Sequence, residues 1–96
     1  MPDFKYDGRG LCVGSGANRL LALVGTNKDV LEVGCATGYM SRILVEQQGC
    51  RVTGIELDSW AAEQAAAFCS HVICGDVEEL VFPPDLGPFD VIIFSH

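Results

Sequence analysis

Hydrophobic and polar positions divide most of the chain into short apolar runs, separated by segments in which apolar residues recur every three or four positions. The short runs are rich in Val, Ile and Leu and end at Gly or at polar residues, a pattern typical of strands buried in a sheet. They predict four strands, at residues 29–33, 51–57, 71–74 and 89–95. The segments with a helical period predict helices at residues 18–24, 37–48 and 59–69.

Single residues mark where these elements begin and end. Asp58 precedes the third helix and is expected to cap its N-terminus, because Asp is a favoured N-cap residue. Gly25 and Gly49 follow the first and second helices, where a residue that tolerates positive φ is expected. Residues 1–16 contain four glycines and are interpreted as a lead-in without regular structure. The whole chain, residues 1–96, is interpreted as a single domain.

The alternation of strands and helices indicates the fold class. Strands joined by helices form parallel βαβ units, and right-handed crossovers wind them into a doubly wound, Rossmann-like α/β sheet. Such sheets bind ligands beyond the carboxyl ends of their strands, at the point where the strand order reverses. The residues that directly follow each predicted strand are therefore the first candidates for a functional site.

A glycine loop, EVGCATGY at residues 32–39, follows the first strand. Gly34 permits a sharp turn, and Gly38 permits close approach of the backbone to a ligand or to the strand. Ala36 stands where a dinucleotide loop, G-x-G-x-x-G, has its second glycine, which disfavours a pyrophosphate ligand. Glu32 suits a positively charged amino or sulfonium group better than a phosphate. Since glycine is common in strand-to-helix turns, a purely structural role for the loop stays open.

Two further acids follow the second and third strands. Glu56 ends the second strand, where a carboxylate can accept hydrogen bonds from both hydroxyls of a ribose. Asp76 follows the third strand, where a carboxylate can accept from the amino group of adenine and the next N–H, of Val77, can donate to a ring nitrogen. Each acid also has a structural alternative, namely a solvated strand end for Glu56 and a capped turn for Asp76. Together with the loop, however, they outline one site at one edge of the sheet.

With these segments in place, the sequence resembles the class I S-adenosylmethionine-dependent methyltransferases from about residue 30 to residue 96. VLEVGCATGY resembles the first motif of that family, VTGIELD the second-strand motif, VICGDVEEL the adenine-contacting segment and FDVIIFSH the fourth-strand motif. The resemblance implies a sheet with strand order 3-2-1-4 and S-adenosylmethionine as the cofactor. It also implies that the chain stops after the fourth strand, where members of the family continue into the half that holds the substrate.

The resemblance also assigns roles to residues. It implies the methionine part of the cofactor beside the loop, the ribose at Glu56 and the adenine at Asp76 and Val77. Ser95 and His96 would lie near the sulfur and the substrate, while Tyr6 and Asn18 are candidates to close over the methionine end. The implied cofactor-binding residues are Glu32, Gly34, Cys35, Gly38, Glu56, Leu57, Asp76, Val77 and Ser95. No catalytic residue is assigned.

Composition changes this picture in two respects. With 13 acidic and 6 basic residues the net charge is −7, which argues against binding to nucleic acid or to an anionic membrane. The five cysteines are odd in number and lack C-x-x-C spacing, so neither a disulfide framework nor a metal site is expected. Buried thiols in a reducing cytoplasm are the interpretation we adopt, and a reactive thiol stays open as the alternative.

Four functional hypotheses stay open from the sequence. The chain is a methyltransferase that needs a second copy or a partner, a non-catalytic S-adenosylmethionine-binding module, an inactive fragment, or a nicotinamide-dependent domain. The missing G-x-G-x-x-G pattern disfavours the last. Because the fourth strand, VIIF, would leave an apolar sheet edge, we expect self-association through that edge. The methyl acceptor is unknown.

Overall fold

This computed structural model describes residues 5–6, 12–13 and 15–94 of the chain. All four predicted strands and all three predicted helices are present. The elements follow in the order β1 (Lys5–Tyr6), β2 (Cys12–Val13), α1 (Ser15–Val24), β3 (Asp29–Val33), α2 (Tyr39–Gln48), β4 (Arg51–Glu56), α3 (Ser59–Ala65), β5 (His71–Cys74) and β6 (Val91–Phe94).

The four predicted strands form one parallel sheet in the order β5-β4-β3-β6. β3 lies inside the sheet, where Val30 is paired with Val52 of β4 on one side and with Val91 of β6 on the other. Counted along the chain, this is the order 3-2-1-4, so the α/β fold class and the strand order are confirmed. Because the strands are parallel, their carboxyl ends all lie at one rim of the sheet.

The helices in the described residues pack on one face of this sheet. Their apolar side chains share one buried core with alternate residues of the strands: Leu21, Val24, Met40, Ile43, Leu44, Ala65, Val30, Val52 and Ile93. The intervening strand residues face the other way and form a smaller core with the segment that follows β5: Leu31, Val33, Ile55, Val77, Leu80 and Phe89. A right-handed crossover that reverses the strand order must cross the opposite face. The β5–β6 connection does so without a helix.

Several boundaries differ from the sequence prediction. α2 begins two residues later than predicted, because Gly38 has a left-handed conformation (φ 87°) that an α-helical residue does not adopt. α3 ends at Ala65, and hydrogen-bonded turns continue to Cys69. β1 and β2 pair in antiparallel fashion, so the prediction that residues 1–16 lack regular structure is wrong. Strands of two residues are too short for a periodicity argument to find.

Both predicted helix boundaries next to β4 are confirmed. Gly49 ends α2 with φ 66°, and its N–H donates to the carbonyl of Leu44. Asp58 caps α3, because its Oδ2 accepts a hydrogen bond from the N–H of Ala61 at 2.9 Å. These two caps fix where β4 begins and where the chain turns away after it. They thereby place Glu56 at the carboxyl rim.

Candidate functional site

A pocket of about 280 Å³ opens at the carboxyl rim, between the ends of β3, β4 and β5. It is lined by the last residues of these strands and the first residues of the loops that follow: Val33, Gly34, Ile55, Glu56, Leu57, Gly75, Asp76 and Val77. Gly34, Glu56, Leu57, Asp76 and Val77 belong to the set predicted from the sequence. The pocket therefore lies where a doubly wound sheet is expected to bind a ligand.

Left-handed backbone at three positions shapes the loop after β3. Gly34 (φ 79°), Ala36 (φ 53°) and Gly38 (φ 87°) all have positive φ. The N–H groups of Gly34 and Cys35 both donate to the carbonyl of Ile55, at 2.8 and 3.1 Å, and tie the loop to the end of β4. A left-handed conformation costs a non-glycine residue roughly 1–2 kcal/mol. Other contacts must therefore hold Ala36 in place.

Glu56 provides one of those contacts. Its Oε1 accepts a hydrogen bond from the N–H of Ala36 at 2.7 Å, and its Oε2 accepts one from the N–H of Asp58 at 3.0 Å. The half-buried carboxylate thus connects the glycine loop with the start of α3. A carboxylate offers about four acceptor positions, so Glu56 retains capacity for donors on a ligand.

Gly38 allows the loop to approach α3 closely. A Cβ at Gly38 would lie 2.8 Å from Cα of Ala65 and 3.1 Å from its Cβ. Any larger residue would push the start of α2 away from α3, because the nearest atom belongs to the backbone. The close approach that glycine permits here is therefore to a helix, behind the pocket.

Asp76 lies at the outer edge of the pocket and is exposed. Its Oδ1 accepts a hydrogen bond from the N–H of Glu78 at 2.9 Å. Its carbonyl accepts from the N–H groups of Glu79 and Leu80, at 2.9 and 3.0 Å. This is the capped turn that the sequence allowed as an alternative. The carboxylate still borders the pocket and keeps further acceptor positions, so the two roles are compatible.

Glu32 lies behind the pocket wall. Its side chain is 1% exposed and accepts a hydrogen bond from Oγ of Ser41 on α2 at 2.5 Å. In the sheet it is paired with Gly54, on the face that the helices cover. The pocket lining does not include Glu32. The predicted contact between Glu32 and a positively charged ligand group stays a prediction. In the structure, the carboxylate of Glu32 holds α2 against the sheet through its hydrogen bond with Ser41.

Cys35 also lies behind the wall, together with Cys69 from the turn after α3. A Cβ at Gly54 of β4 would lie 2.7 Å from Sγ of Cys35 and 3.3 Å from Sγ of Cys69, so both sulfur atoms occupy the space above this glycine. The adjacent Cys69 thiol raises the pKa of Cys35, and burial raises it further. The pKa of Cys69 is lowered, first by the Cys35 thiol and also by the Ser41 hydroxyl, against the opposing effect of burial.

Three lining residues were missed by the sequence argument: Val33, Ile55 and Gly75. Strand alternation could have found the first two, because Val33 and Ile55 are the last residues that β3 and β4 point toward the face opposite the helices. The N–H of Gly75 donates to the carbonyl of Glu56 at 2.9 Å, a contact that only the three-dimensional arrangement reveals. Because Val33 and Ile55 have apolar side chains, the observed pocket lining is more apolar than the lining predicted from the sequence.

Four residues named in the sequence analysis cannot be placed in the site from the described structure. Ser95 and His96 lie outside the described residues, as do the side chains of Tyr6 and Asn18. Among the residues that are described, no group of three or more His, Cys, Asp or Glu side chains could hold a metal ion. The same part of the chain contains no helix that is both long and apolar enough to cross a membrane.

A family model described as "Methyltransferase domain" matches residues 30–96, which is more than half of the chain. This chain belongs to the methyltransferase-domain family. The resemblance to class I S-adenosylmethionine-dependent methyltransferases is therefore confirmed at the level of family and fold. The match begins at β3 and includes the loop after it.

Curated relatives of this methyltransferase domain are longer proteins. A Methanocaldococcus jannaschii protein, provisionally assigned as a protein N5-glutamine methyltransferase, is 32% identical over 71 residues, covering 72% of this chain and 36% of its own length. The malonyl-(acyl-carrier protein) O-methyltransferase of Priestia megaterium is 36% identical over 56 residues, covering 53% of this chain and 20% of its own. The chain thus spans about a third or less of the curated relatives that it matches.

A solved structure shares the fold of the methyltransferase domain. The S-adenosylmethionine-dependent methyltransferase of Thiobacillus denitrificans, solved in complex with S-adenosyl-L-homocysteine, superimposes with a TM-score of 0.64 at 24% identity. The match covers 81% of this chain and 34% of that protein. At this level of identity the similarity shows the fold.

Proposed function

We propose that this methyltransferase domain binds S-adenosylmethionine at the carboxyl rim and supplies the cofactor-binding part of a methyltransferase. The observation that carries the proposal is the pocket of about 280 Å³ that the glycine loop, Glu56 and Asp76 border together. Its volume is near the lower end for small-molecule sites, which suits a nucleoside group. The family match and the S-adenosyl-L-homocysteine complex of a protein with this fold support the same ligand class.

Each part of the pocket fits one part of an adenosyl group. The remaining acceptor positions of Glu56 suit the two ribose hydroxyls, and the carboxylate of Asp76 suits the amino group of adenine. The N–H of Val77, which lines the pocket, is proposed to donate to a ring nitrogen of the adenine. Val33 and Ile55 provide the apolar wall against which a base can pack. Cys35, Gly38 and Ser95 are proposed to lie on the methionine side.

Bound S-adenosylmethionine supplies a methyl group that its positively charged sulfur activates for transfer. The residues described here contribute by holding that ligand in a fixed orientation and by keeping water away from it. No residue of the chain is assigned to proton transfer, and the methyl acceptor is not identified. The net charge of −7 favours an acceptor other than nucleic acid.

Calorimetry tests the proposal directly. S-adenosylmethionine, S-adenosyl-L-homocysteine and NAD⁺ are titrated into the chain, and we expect the first two to bind and NAD⁺ not to bind. Glu56→Ala should weaken binding of both S-adenosyl ligands by about tenfold or more, because hydrogen bonds to a charged group are lost. Glu63→Ala is the matched control, since Glu63 is an exposed carboxylate on α3, away from the pocket lining.

Glu56 also fixes Ala36, so the loss must be separated from misfolding. Circular dichroism and the unfolding midpoint of Glu56→Ala show whether the fold is intact at the titration temperature. A folded variant that binds as tightly as the wild-type chain would refute the role of Glu56. Failure of the wild-type chain to bind either S-adenosyl ligand would refute the cofactor proposal. A methylation assay with candidate acceptors then distinguishes an enzyme from a non-catalytic binding module.

We also propose that a second copy of the chain covers the edge of the sheet at β6. Ile92 and Phe94 are 56% and 70% exposed, and β6 is paired on one side only in the described sheet. Exposed apolar edge strands tend to recruit another strand.

A reducing, cytoplasmic environment is proposed as well. All four cysteines with described side chains are free, and three of them are buried: Cys35, Cys50 and Cys69. Buried free thiols are typical of proteins from such compartments.

A further inference from the structure

Two cysteines from distant parts of the chain meet beneath the proposed cofactor pocket. Cys35 belongs to the glycine loop and is 1% exposed, whereas Cys69 belongs to the turn after α3 and is 9% exposed. Both sulfur atoms lie against Gly54, within 2.7 and 3.3 Å of the position that a Cβ would take there. The missing side chain at Gly54 therefore leaves room for two thiols side by side.

We propose that Cys35 and Cys69 form a reversible disulfide that lowers the affinity of the pocket for S-adenosyl ligands. With glutathione disulfide as the oxidant, the Cys69 thiolate attacks one of its sulfur atoms and releases glutathione. The Cys35 thiol then gives up its proton and attacks Sγ of Cys69, which breaks the mixed disulfide and releases a second glutathione. Two protein thiols are oxidised, one glutathione disulfide is reduced to two thiols, and the two protons pass to the glutathiones.

The surroundings of the pair favour Cys69 as the attacking thiol. Cys69 is the more accessible of the two thiols, being 9% exposed against 1% for Cys35. The Cys35 thiol and the Ser41 hydroxyl also lower the pKa of Cys69, against the opposing effect of burial, and thiol–disulfide exchange proceeds through the thiolate. Cys69 also lies in a turn whose neighbours Ala67 and Ser70 are exposed. Turns at the end of a short helix open locally at low cost in free energy, so an oxidant can reach Cys69 without global unfolding.

The disulfide acts on the pocket through the loop. A covalent bond draws Cys35 toward Cys69 and disturbs its neighbour Ala36, whose N–H donates to Glu56. Because Gly34 and Glu56 line the pocket, the oxidised chain should bind S-adenosyl-L-homocysteine about tenfold more weakly, a typical coupling between two sites. By the same linkage, bound ligand should oppose oxidation. This change in affinity rests on the proposed function, whereas formation of the bond does not.

The bond is tested in a chain that carries C12S and C74S, equilibrated in glutathione buffers of increasing oxidising strength. After alkylation, trypsin cleaves at Lys28, Arg42 and Arg51 and separates the three remaining cysteines into peptides 29–42, 43–51 and 52–96. We expect peptide 29–42 to be linked to peptide 52–96 and to be released by dithiothreitol. Cys50, in peptide 43–51, is an internal control for a buried thiol and should stay unlinked.

Calorimetry with S-adenosyl-L-homocysteine then tests the switch. The oxidised chain should bind about tenfold more weakly than the reduced chain, and Cys69→Ser should bind equally well in both buffers. The proposal is overturned if the two peptides stay unlinked while the chain remains folded, or if the linked chain binds the ligand unchanged. Lack of binding by the reduced chain would refute the proposed function and the affinity change, while linked peptides would still establish the disulfide.

Discussion

Ala36 shows how a single residue determines the shape of the glycine loop. It adopts φ 53°, a conformation that costs an alanine energy and costs a glycine almost none. The hydrogen bond from its N–H to Glu56 offsets part of this cost. From the sequence, Ala36 is notable only because it replaces the second glycine of the G-x-G-x-x-G pattern. The structure shows that Ala36 is a strained residue in the loop beside the pocket.

Replacing Ala36 with Gly should stabilise the chain. The substitution relieves roughly 1–2 kcal/mol of left-handed strain and loses about 0.4–1 kcal/mol because the unfolded chain gains freedom. We therefore expect the free energy of unfolding, measured by urea denaturation, to rise by about 0.5–1 kcal/mol. Ala62→Gly is the control, because Ala62 lies inside α3 and the same change there should lower stability. A less stable Ala36→Gly chain would contradict the strain argument.

Individual site residues were predictable only in part. Glu56, Asp76 and Gly34 follow parallel strands, and parallel strands end at one rim, so their convergence could be inferred from the sequence. The sequence could not show that Glu56 accepts the N–H of Ala36, because that contact joins the glycine loop to the end of β4, 20 positions further along the chain. Nor could it show that Ser41 reaches back to Glu32, since this depends on how α2 lies on the sheet.

At the scale of elements, α3 is the helix most dependent on its cap. It has seven residues, and isolated helices of that length are marginal in water. Asp58 caps it with its side chain and also donates its own N–H to Oε2 of Glu56. The start of α3 is thus coupled to the wall of the pocket.

Asp58→Ala should lower the free energy of unfolding by about 1 kcal/mol, because the N–H of Ala61 loses its acceptor. Thermal or urea unfolding, monitored by circular dichroism, measures the change. Asp85→Ala removes an exposed carboxylate from the β5–β6 loop and should change stability by less than about 0.5 kcal/mol. Equal stabilities of the two variants would show that the cap contributes little.

Periodicity predicted which elements exist, but not all of their ends. Residues 65–69, AAAFC, continue an alanine-rich pattern with high helix propensity, and nothing local stops the helix at Ala65. The N–H and Oγ of Ser70 both donate to the carbonyl of Val52, at 2.9 and 3.1 Å. The chain must leave the helix early to reach that carbonyl and begin β5, so a tertiary contact overrides propensity.

At the scale of the whole molecule, the two faces of β6 differ. Val91 and Ile93 point toward the helices, and Ile93 is 3% exposed. Ile92 and Phe94 alternate with them and are left largely in solvent. Apolar runs in the sequence predict where the strands are, but no local pattern predicts the order in which they lie in the sheet. The order 3-2-1-4 was predicted from the family resemblance.

If a second copy covers β6, the chain should be a dimer or larger by size-exclusion chromatography with light scattering. The amides of residues 91–94 should then exchange slowly with deuterium. Ile92→Lys should shift the population toward monomer, because charges on an edge strand oppose pairing. Val81→Lys is the control, since Val81 is 93% exposed but lies outside the sheet. A wild-type monomer with fast-exchanging amides at 91–94 would exclude this assembly.

The position of the pocket along the chain has a consequence for how this domain can diversify. All the lining residues fall between Val33 and Val77, whereas β6 joins the sheet on the far side of β3. Among the described residues, the pocket proposed for the nucleoside is thus encoded in one continuous stretch that does not include β6. If the proposed function holds, substitutions outside residues 33–77 can change the preference for a methyl acceptor without changing the nucleoside contacts.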